Sequence, residues 1–256
     1  MAAVAAICAA ALPADEPTAQ RHKPSHLEIL SRKGYKVNGG ALVKPGSQRG
    51  AVAILDQQSR VDRSAFETIR ATIEKNQKIV VRVVAEDKAV QPLDGMKKAN
   101  ANFVIAVVDD ASSPVMAVAP EERWATVNVA RLAAGSGGKE LQGEFLASRL
   151  RKELLRAFAF LCGGAGSQFD GNLMSASDVA QLDEYQEFLP MDMVKRSEKY
   201  MARCGVTPLR IATYRQACRE GWAPPPTNDV QKAIWQQAHQ IPDKPIRIEF
   251  DPKKDR

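Results

Sequence analysis

The chain has 256 residues, 45% of them hydrophobic and 26% charged, with a formal net charge of +6 from 36 basic and 30 acidic side chains. The length suffices for one large domain or two small ones around a sizeable core. The basic residues are interleaved with acids rather than gathered into an aromatic-lined stripe, which argues against nucleic acid as a partner, and beyond the N-terminus no apolar run approaches membrane length.

Residues 1–14, MAAVAAICAAALPA, carry no charged side chain and end in small residues. That pattern is expected of a secretory signal peptide cut after Ala14. It predicts an exported protein, periplasmic or extracellular; the alternative is a cytoplasmic protein with an Ala-rich N-terminus. Cys162, Cys204 and Cys218 remain after the cut. Cys204 and Cys218 flank a short connection between two helical stretches, so an oxidising compartment permits a disulfide between them, and reduced buried thiols are the alternative. Residues 15–48 are polar and punctuated by proline and glycine, and read as an extended arm with strand-like pieces at 35–37 and 41–43.

The folded body opens at Gly50. Residues 51–57 (AVAILDQ) are a short apolar run bounded by turn residues, the pattern of a buried strand. Asp62 can cap a helix in which Phe66, Ile69 and Ile73 recur at helical spacing. Residues 78–86 (KIVVRVVAE) are rich in β-branched side chains and predict a second strand. Pro92, Asp94 and Gly95 predict an interruption. Residues 102–110 (NFVIAVVDD) predict a third strand, and 114–132 predict two strands of a hairpin turning at Pro120, Glu121 and Glu122. Strand–helix–strand needs a crossover and favours a parallel pair, while the hairpin adds an antiparallel edge strand. The expected class is α/β (α+β), a mixed twisted sheet covered by helices, with a long central helix and a helical C-terminal part.

Residues 139–162 predict that central helix, with Leu150, Leu154, Phe158 and Leu161 as its core stripe and Gly163, Gly164 and Gly166 as its stop. Past Met174, helices are expected from a cap at Ser177 or Asp178, over 192–204 up to Gly205, from Thr207 with Pro208 at the first helical position, and from Thr227 or Asn228. The tail is expected to be extended, with Ile246, Ile248 and Phe250 alternating. The chain thus divides into a signal at 1–14, an arm at 15–48, an α/β domain at 50–183, and a helical C-terminal subdomain with its tail at 184–256.

An edge hairpin, a long apolar helix, a glycine turn and then a methionine resemble the layout of the metzincin metalloproteases. Within them the likeness is to the archaemetzincin branch, whose methionine also follows shortly after the helix. In that family H-E-x-x-H-x-x-G-x-x-H supplies zinc-binding histidines and a glutamate general base. Laid on this motif, Lys152 and Arg156 stand at the first two histidines, Glu153 at the glutamate, Ala159 at the glycine and Cys162 at the third histidine, with Met174 as the later methionine. Lysine and arginine are cationic at neutral pH and do not serve as ordinary zinc ligands. The only histidines are His22, His26 and His239, and a single thiolate at Cys162 does not make a site. The resemblance implies a metzincin-like scaffold that has lost its metal, with no cofactor.

The expected function is that of a non-catalytic, secreted, metzincin-like protein. Its partner would be a peptide or protein, bound along the edge strand within 115–131 by strand addition, or in the vacant cleft. One alternative is a metal-independent hydrolase with Glu153 as the candidate catalytic residue. Another is a structural, envelope-associated protein. Glu153 and Arg156 are three residues apart and can pair on one helix face. Asp109 and Asp110 end a strand, where α/β folds often place function, and are also good turn residues. Ser175 and Ser177 lack a nucleophile motif, and Trp124, Trp222 and Trp235 suit packing better than sugar binding.

Overall fold

The computed structural model describes residues 36–37, 41–58, 60–86, 89–135, 140–164, 166 and 172–240. The expected signal, most of the arm and the tail strand lie outside the described residues. In chain order the first elements are β1 (Lys36–Val37), β2 (Ala41–Val43), β3 (Ala51–Asp56), α1 (Arg63–Gln77), β4 (Val80–Ala85), α2 (Pro92–Lys98), β5 (Phe103–Val108), β6 (Met116–Ala119) and β7 (Trp124–Asn128). There follow α3 (Val129–Leu132), α4 (Gly143–Leu161), α5 (Met191–Arg203), β8 (Ile211–Thr213), α6 (Tyr214–Arg219) and α7 (Asp229–Gln240), with short 3-10 turns at Leu173–Ser175 and Gln181–Asp183.

The larger sheet runs β4-β3-β5-β7-β6. Strands β4, β3, β5 and β7 are parallel, and β6 is antiparallel to β7 at the edge. The class is mixed α/β, with the parallel first pair and antiparallel edge strand that the pattern of apolar runs predicts. Side chains alternate across the sheet, as the pleat requires. Val52, Ile54, Phe103, Ile105 and Val107 meet α1 and α4 on one face. Ala53, Leu55, Val104 and Ala106 meet Met96 and Ala99, in and just after α2, on the other. Phe66, Phe103 and Phe158 are fully buried in the larger cluster; each such side chain contributes about 1.5–3 kcal/mol of burial free energy.

Helix α1 starts where expected, the Asp62 carboxylate accepting the Ser64 amide at 2.8 Å. It ends at Lys78, whose φ of 55° is left-handed. Helix α4 ends in Cys162 and Gly163, the latter at φ 77°. The Gly164 amide returns to Ala159 O at 2.8 Å, which satisfies a carbonyl at the helix end.

Several expected elements fold otherwise. Pro92 opens a helix rather than an interruption, because proline at the first helical position loses no needed hydrogen bond. Gly95 lets this helix lie on β3: a Cβ there would stand 2.1 Å from Leu55 Cδ1, and Leu55 is fully buried. Gly95→Ala is expected to lower stability by about 1–3 kcal/mol through overpacking, read from urea unfolding; an unchanged midpoint would mean that Leu55 rearranges freely. No α-helix follows Ser177. The Leu182 carbonyl, which a helix would use internally, accepts instead from Lys152, and the Ala176 carbonyl just before the expected cap accepts from Arg156. Thr207 caps no helix either: it bridges to Arg49, and the next helix, α6, is capped by Thr213. The intervening β8 pairs with β2, which also holds β1, in a second, antiparallel sheet. The last helix is capped as expected, Asn228 Oδ1 accepting the Gln231 amide at 2.9 Å.

Cys162, Cys204 and Cys218 are free thiols, and the disulfide that the sequence permits between Cys204 and Cys218 is not formed. Cys204 packs on the main core. The β2–β8 pairing carries Cys218 into a separate cluster with Leu42 and Tyr214.

Candidate functional site

The positions aligned with the metalloprotease motif lie on the face of α4 turned towards residues 172–187, and their side chains are occupied. Lys152 is 8% exposed, and its ammonium donates to Leu182 O at 2.6 Å. Arg156 donates through Nη1 to Glu153 Oε2 and through Nη2 to Ala176 O, both at 2.7 Å. Its guanidinium also lies 5.9 Å from the Phe160 ring centroid, within cation–π range. The two cations placed at histidine positions thus hold the chain that follows the glycine turn. A lysine or arginine reaching for carbonyl oxygens leaves no lone pair for a metal.

Glu153 is fully buried. Burial pushes its carboxyl above the ordinary glutamate value, and the neighbouring Arg156 charge and hydrogen bond offset part of that rise. Glu153 Oε1 and Arg156 Nε both lack a hydrogen-bond partner among the described residues. A carboxylate with no exposed surface is poorly placed as a general base on an external substrate. Cys162 is also fully buried, at the end of α4, and burial pushes its thiol up, away from the thiolate that metal binding requires. Met174 sits in the core at 2% exposure, its amide held by Asn172 Oδ1. Among the described residues, no three His, Cys, Asp or Glu side chains gather into a set suited to a metal ion. The donor set does not fit zinc.

Sequence reasoning missed the residue that anchors this face most firmly. Arg149, one turn before Lys152, is 5% exposed. Its Nε and Nη2 donate to the two oxygens of Asp183 at 2.8 and 2.6 Å, and its Nη1 donates to Leu132 O and Ala134 O. The hydrogen bonds from Arg149 hold Asp183 below the usual carboxylate range. Arg149, Lys152 and Arg156 recur at i, i+3 and i+7, which places all three on one face of a helix. That spacing of basic residues was the available signal.

The edge strand is the second notable feature. The Asn128 amide donates to Val115 O at 2.9 Å. In an antiparallel ladder alternate residues face inward, so Met116 and Val118 turn their N–H and C=O groups to the open edge of β6. Those groups have no partner among the described residues. The Met116 and Val118 side chains pack against the main core, beneath that edge.

The remaining sequence candidates are engaged locally. Asp110 accepts from the hydroxyls of Ser113 and Ser112, which bring its carboxyl down to about 2. Asp109 pairs with Arg60. Ser175 donates to Asn172 O, and Ser177 bonds Gln181 Oε1. Trp124 and Trp222 donate to Glu122 and Glu220, and Trp235 stacks on His239. A cavity of about 480 Å³ lies between the starts of α1 and α4. Two of its lining residues, Arg60 and Arg151, are each already paired with two carboxylates.

No family model matches the chain, and no curated protein matches it. Solved structures do. The archaemetzincin of Methanopyrus kandleri is 14% identical, with a TM-score of 0.48 over 62% of this chain and 98% of its own. A zinc-dependent peptidase of Methanocorpusculum labreanum is 14% identical, with a TM-score of 0.44 over 57% of this chain and 99% of its own. The archaemetzincin of Archaeoglobus fulgidus, solved with malonate, is 13% identical, with a TM-score of 0.41 over 57% of this chain and 99% of its own. At such identity the likeness is one of fold alone.

Proposed function

We propose that this protein is a non-catalytic, metzincin-like scaffold that binds an extended peptide segment of a partner protein by strand addition to β6. The observation that carries the reading is the arrangement on α4. Lys152 and Arg156 stand where metal ligands would be needed and donate to Leu182 O and Ala176 O, so the face that would carry zinc chemistry is filled by the chain's own residues 176–182. The open edge at Met116 and Val118 supports peptide pairing, since unpaired strand groups are a ready template for another strand. The hydrolase reading centred on Glu153 has less support, because that carboxylate is fully buried against Arg156. Export through residues 1–14 belongs to the same proposal and rests on the sequence pattern.

The test is a peptide-display selection on the purified chain, with metal content measured after dialysis against zinc. Extended peptides should be recovered without cleavage, and the protein should hold less than stoichiometric zinc. Val118→Pro removes one outward N–H while leaving the inward ladder with β7, and proline is tolerated on edge strands. It should weaken peptide binding by roughly tenfold, the loss of one interfacial hydrogen bond. Stoichiometric zinc with chelator-sensitive peptide cleavage would overturn the proposal. So would peptide binding indifferent to Val118→Pro.

A further inference from the structure

Helix α5 carries a surface feature that the peptide-binding reading does not use. Met193, Ser197 and Met201 bury its inner face. Lys195, Arg196, Lys199 and Arg203 are exposed on its outer face, at helical spacings that place them along one stripe. None of the four makes an ion pair or a side-chain hydrogen bond among the described residues. In contrast, Arg149, Arg151 and Arg156 on α4 are all ion-paired. Asp192 is the one acid on this outer stripe, and Glu198 lies on its half-buried flank.

Exposed apolar side chains adjoin the stripe at its N-terminal end. Met191 opens α5 at 69% exposure, and Phe188, just before it, is 46% exposed. Arg151 bonds both Glu144 and Glu187. It therefore ties the start of α4, where Phe145 is 74% exposed, to the turn that carries Phe188. Three of the five large hydrophobics exposed among the described residues belong to these two joined segments.

Cations along a helix beside protruding Phe and Met side chains fit a bilayer interface, where phosphates meet the ammonium and guanidinium groups and the apolar side chains enter the acyl boundary. An acidic protein groove would use the cations but leave three separate apolar protrusions without a role. We propose that the outer face of α5, with Phe145, Phe188 and Met191, docks the protein peripherally on an anionic lipid surface.

The test is flotation of the full chain with vesicles of phosphatidylcholine alone, and of phosphatidylcholine mixed with phosphatidylglycerol. Binding should be confined to the anionic vesicles and should fall as salt is raised. Lys195→Gln with Lys199→Gln should lower the partition coefficient by roughly twentyfold or more, at about fivefold per cation. Phe188→Ala with Met191→Ala should weaken it severalfold without changing its salt dependence. All four positions are exposed, and an unchanged melting midpoint establishes that the variants fold. Equal binding to neutral vesicles, or no binding to either, would overturn the proposal. Retention on a polyanion such as heparin without vesicle binding would overturn it too, and assign the stripe to an acidic macromolecule.

Discussion

Arg156→Met is expected to lower the unfolding free energy by about 3–5 kcal/mol, the range seen when one partner of a buried ion pair is removed. Methionine retains much of the apolar stem of arginine, so packing changes little. The loss arises because Glu153, with no exposed surface, loses its Nη1 donor at 2.7 Å, and Ala176 O loses its Nη2 donor. Replacing both members, as Glu153→Leu with Arg156→Met, should recover most of that loss, because apolar substitutes for a buried pair are often neutral or stabilising by about 1–4 kcal/mol.

The pH dependence has a definite sign. The folded-state pKa of Glu153 is raised above its ordinary value of 4.5 by burial, against the opposing effect of Arg156. The native state therefore binds the proton more tightly than the unfolded chain. Its stabilising contribution is complete below the unfolded value and is lost as pH rises through the folded one. Removing Arg156 removes the opposing effect and pushes the folded value higher. The penalty of Arg156→Met should shrink on acidification towards 4.5 and be largest at neutral pH and above. Denaturant unfolding of wild type and both variants across this range tests the account. A penalty that is flat with pH would place the cost in lost packing instead.

Arg149→Ala carries the second large expected effect. Four hydrogen bonds end on Asp183, Leu132 O and Ala134 O, and their loss leaves the buried Leu132 carbonyl without this donor. A destabilisation of about 3–4 kcal/mol follows from one unsatisfied buried acceptor together with the lost charge-assisted bonds. Arg149→Lys should recover little, because one ammonium cannot span the carboxylate and two carbonyls as a guanidinium does. Asp183→Asn should cost about 1 kcal/mol or less, since the Asp183 side chain is 49% exposed and pairs near the surface are weak. Asp183 itself is held below its ordinary value of 3.8. Its share of stability is present above that value and disappears as pH falls through the lower folded one. Limited proteolysis within residues 176–183 gives a second readout: Arg149→Ala should expose that segment to cleavage, and unchanged resistance would count against the clamp.

The apolar patterns of this chain decided much by themselves. Residues 51–57, 78–86 and 102–110 become β3, β4 and β5 because short, largely apolar runs of that length are stable as strands when both sheet faces are covered. Asp62, Gly163 and Gly205 end or begin helices where their local chemistry predicts, since capping depends only on neighbours within a turn. That Lys152 and Arg156 offer no lone pair to a metal was equally legible, because it follows from residue types alone. What the sequence could not decide is where long side chains reach. Of the three cations on that face of α4, only Arg156 had a partner legible in sequence, Glu153 three residues before it. Only the return of residues 172–183 across α4 brings the Asp183, Leu182 and Ala176 acceptors within 3 Å, and the Leu182 carbonyl, drawn to Lys152, no longer sustains the helix expected there. The pairing of β8 with β2 joins residues more than 160 positions apart and likewise moves Cys218 away from Cys204. Local patterns specify elements, because propensity and periodicity act over a few residues; the partners of buried charges are set by contacts distant in sequence.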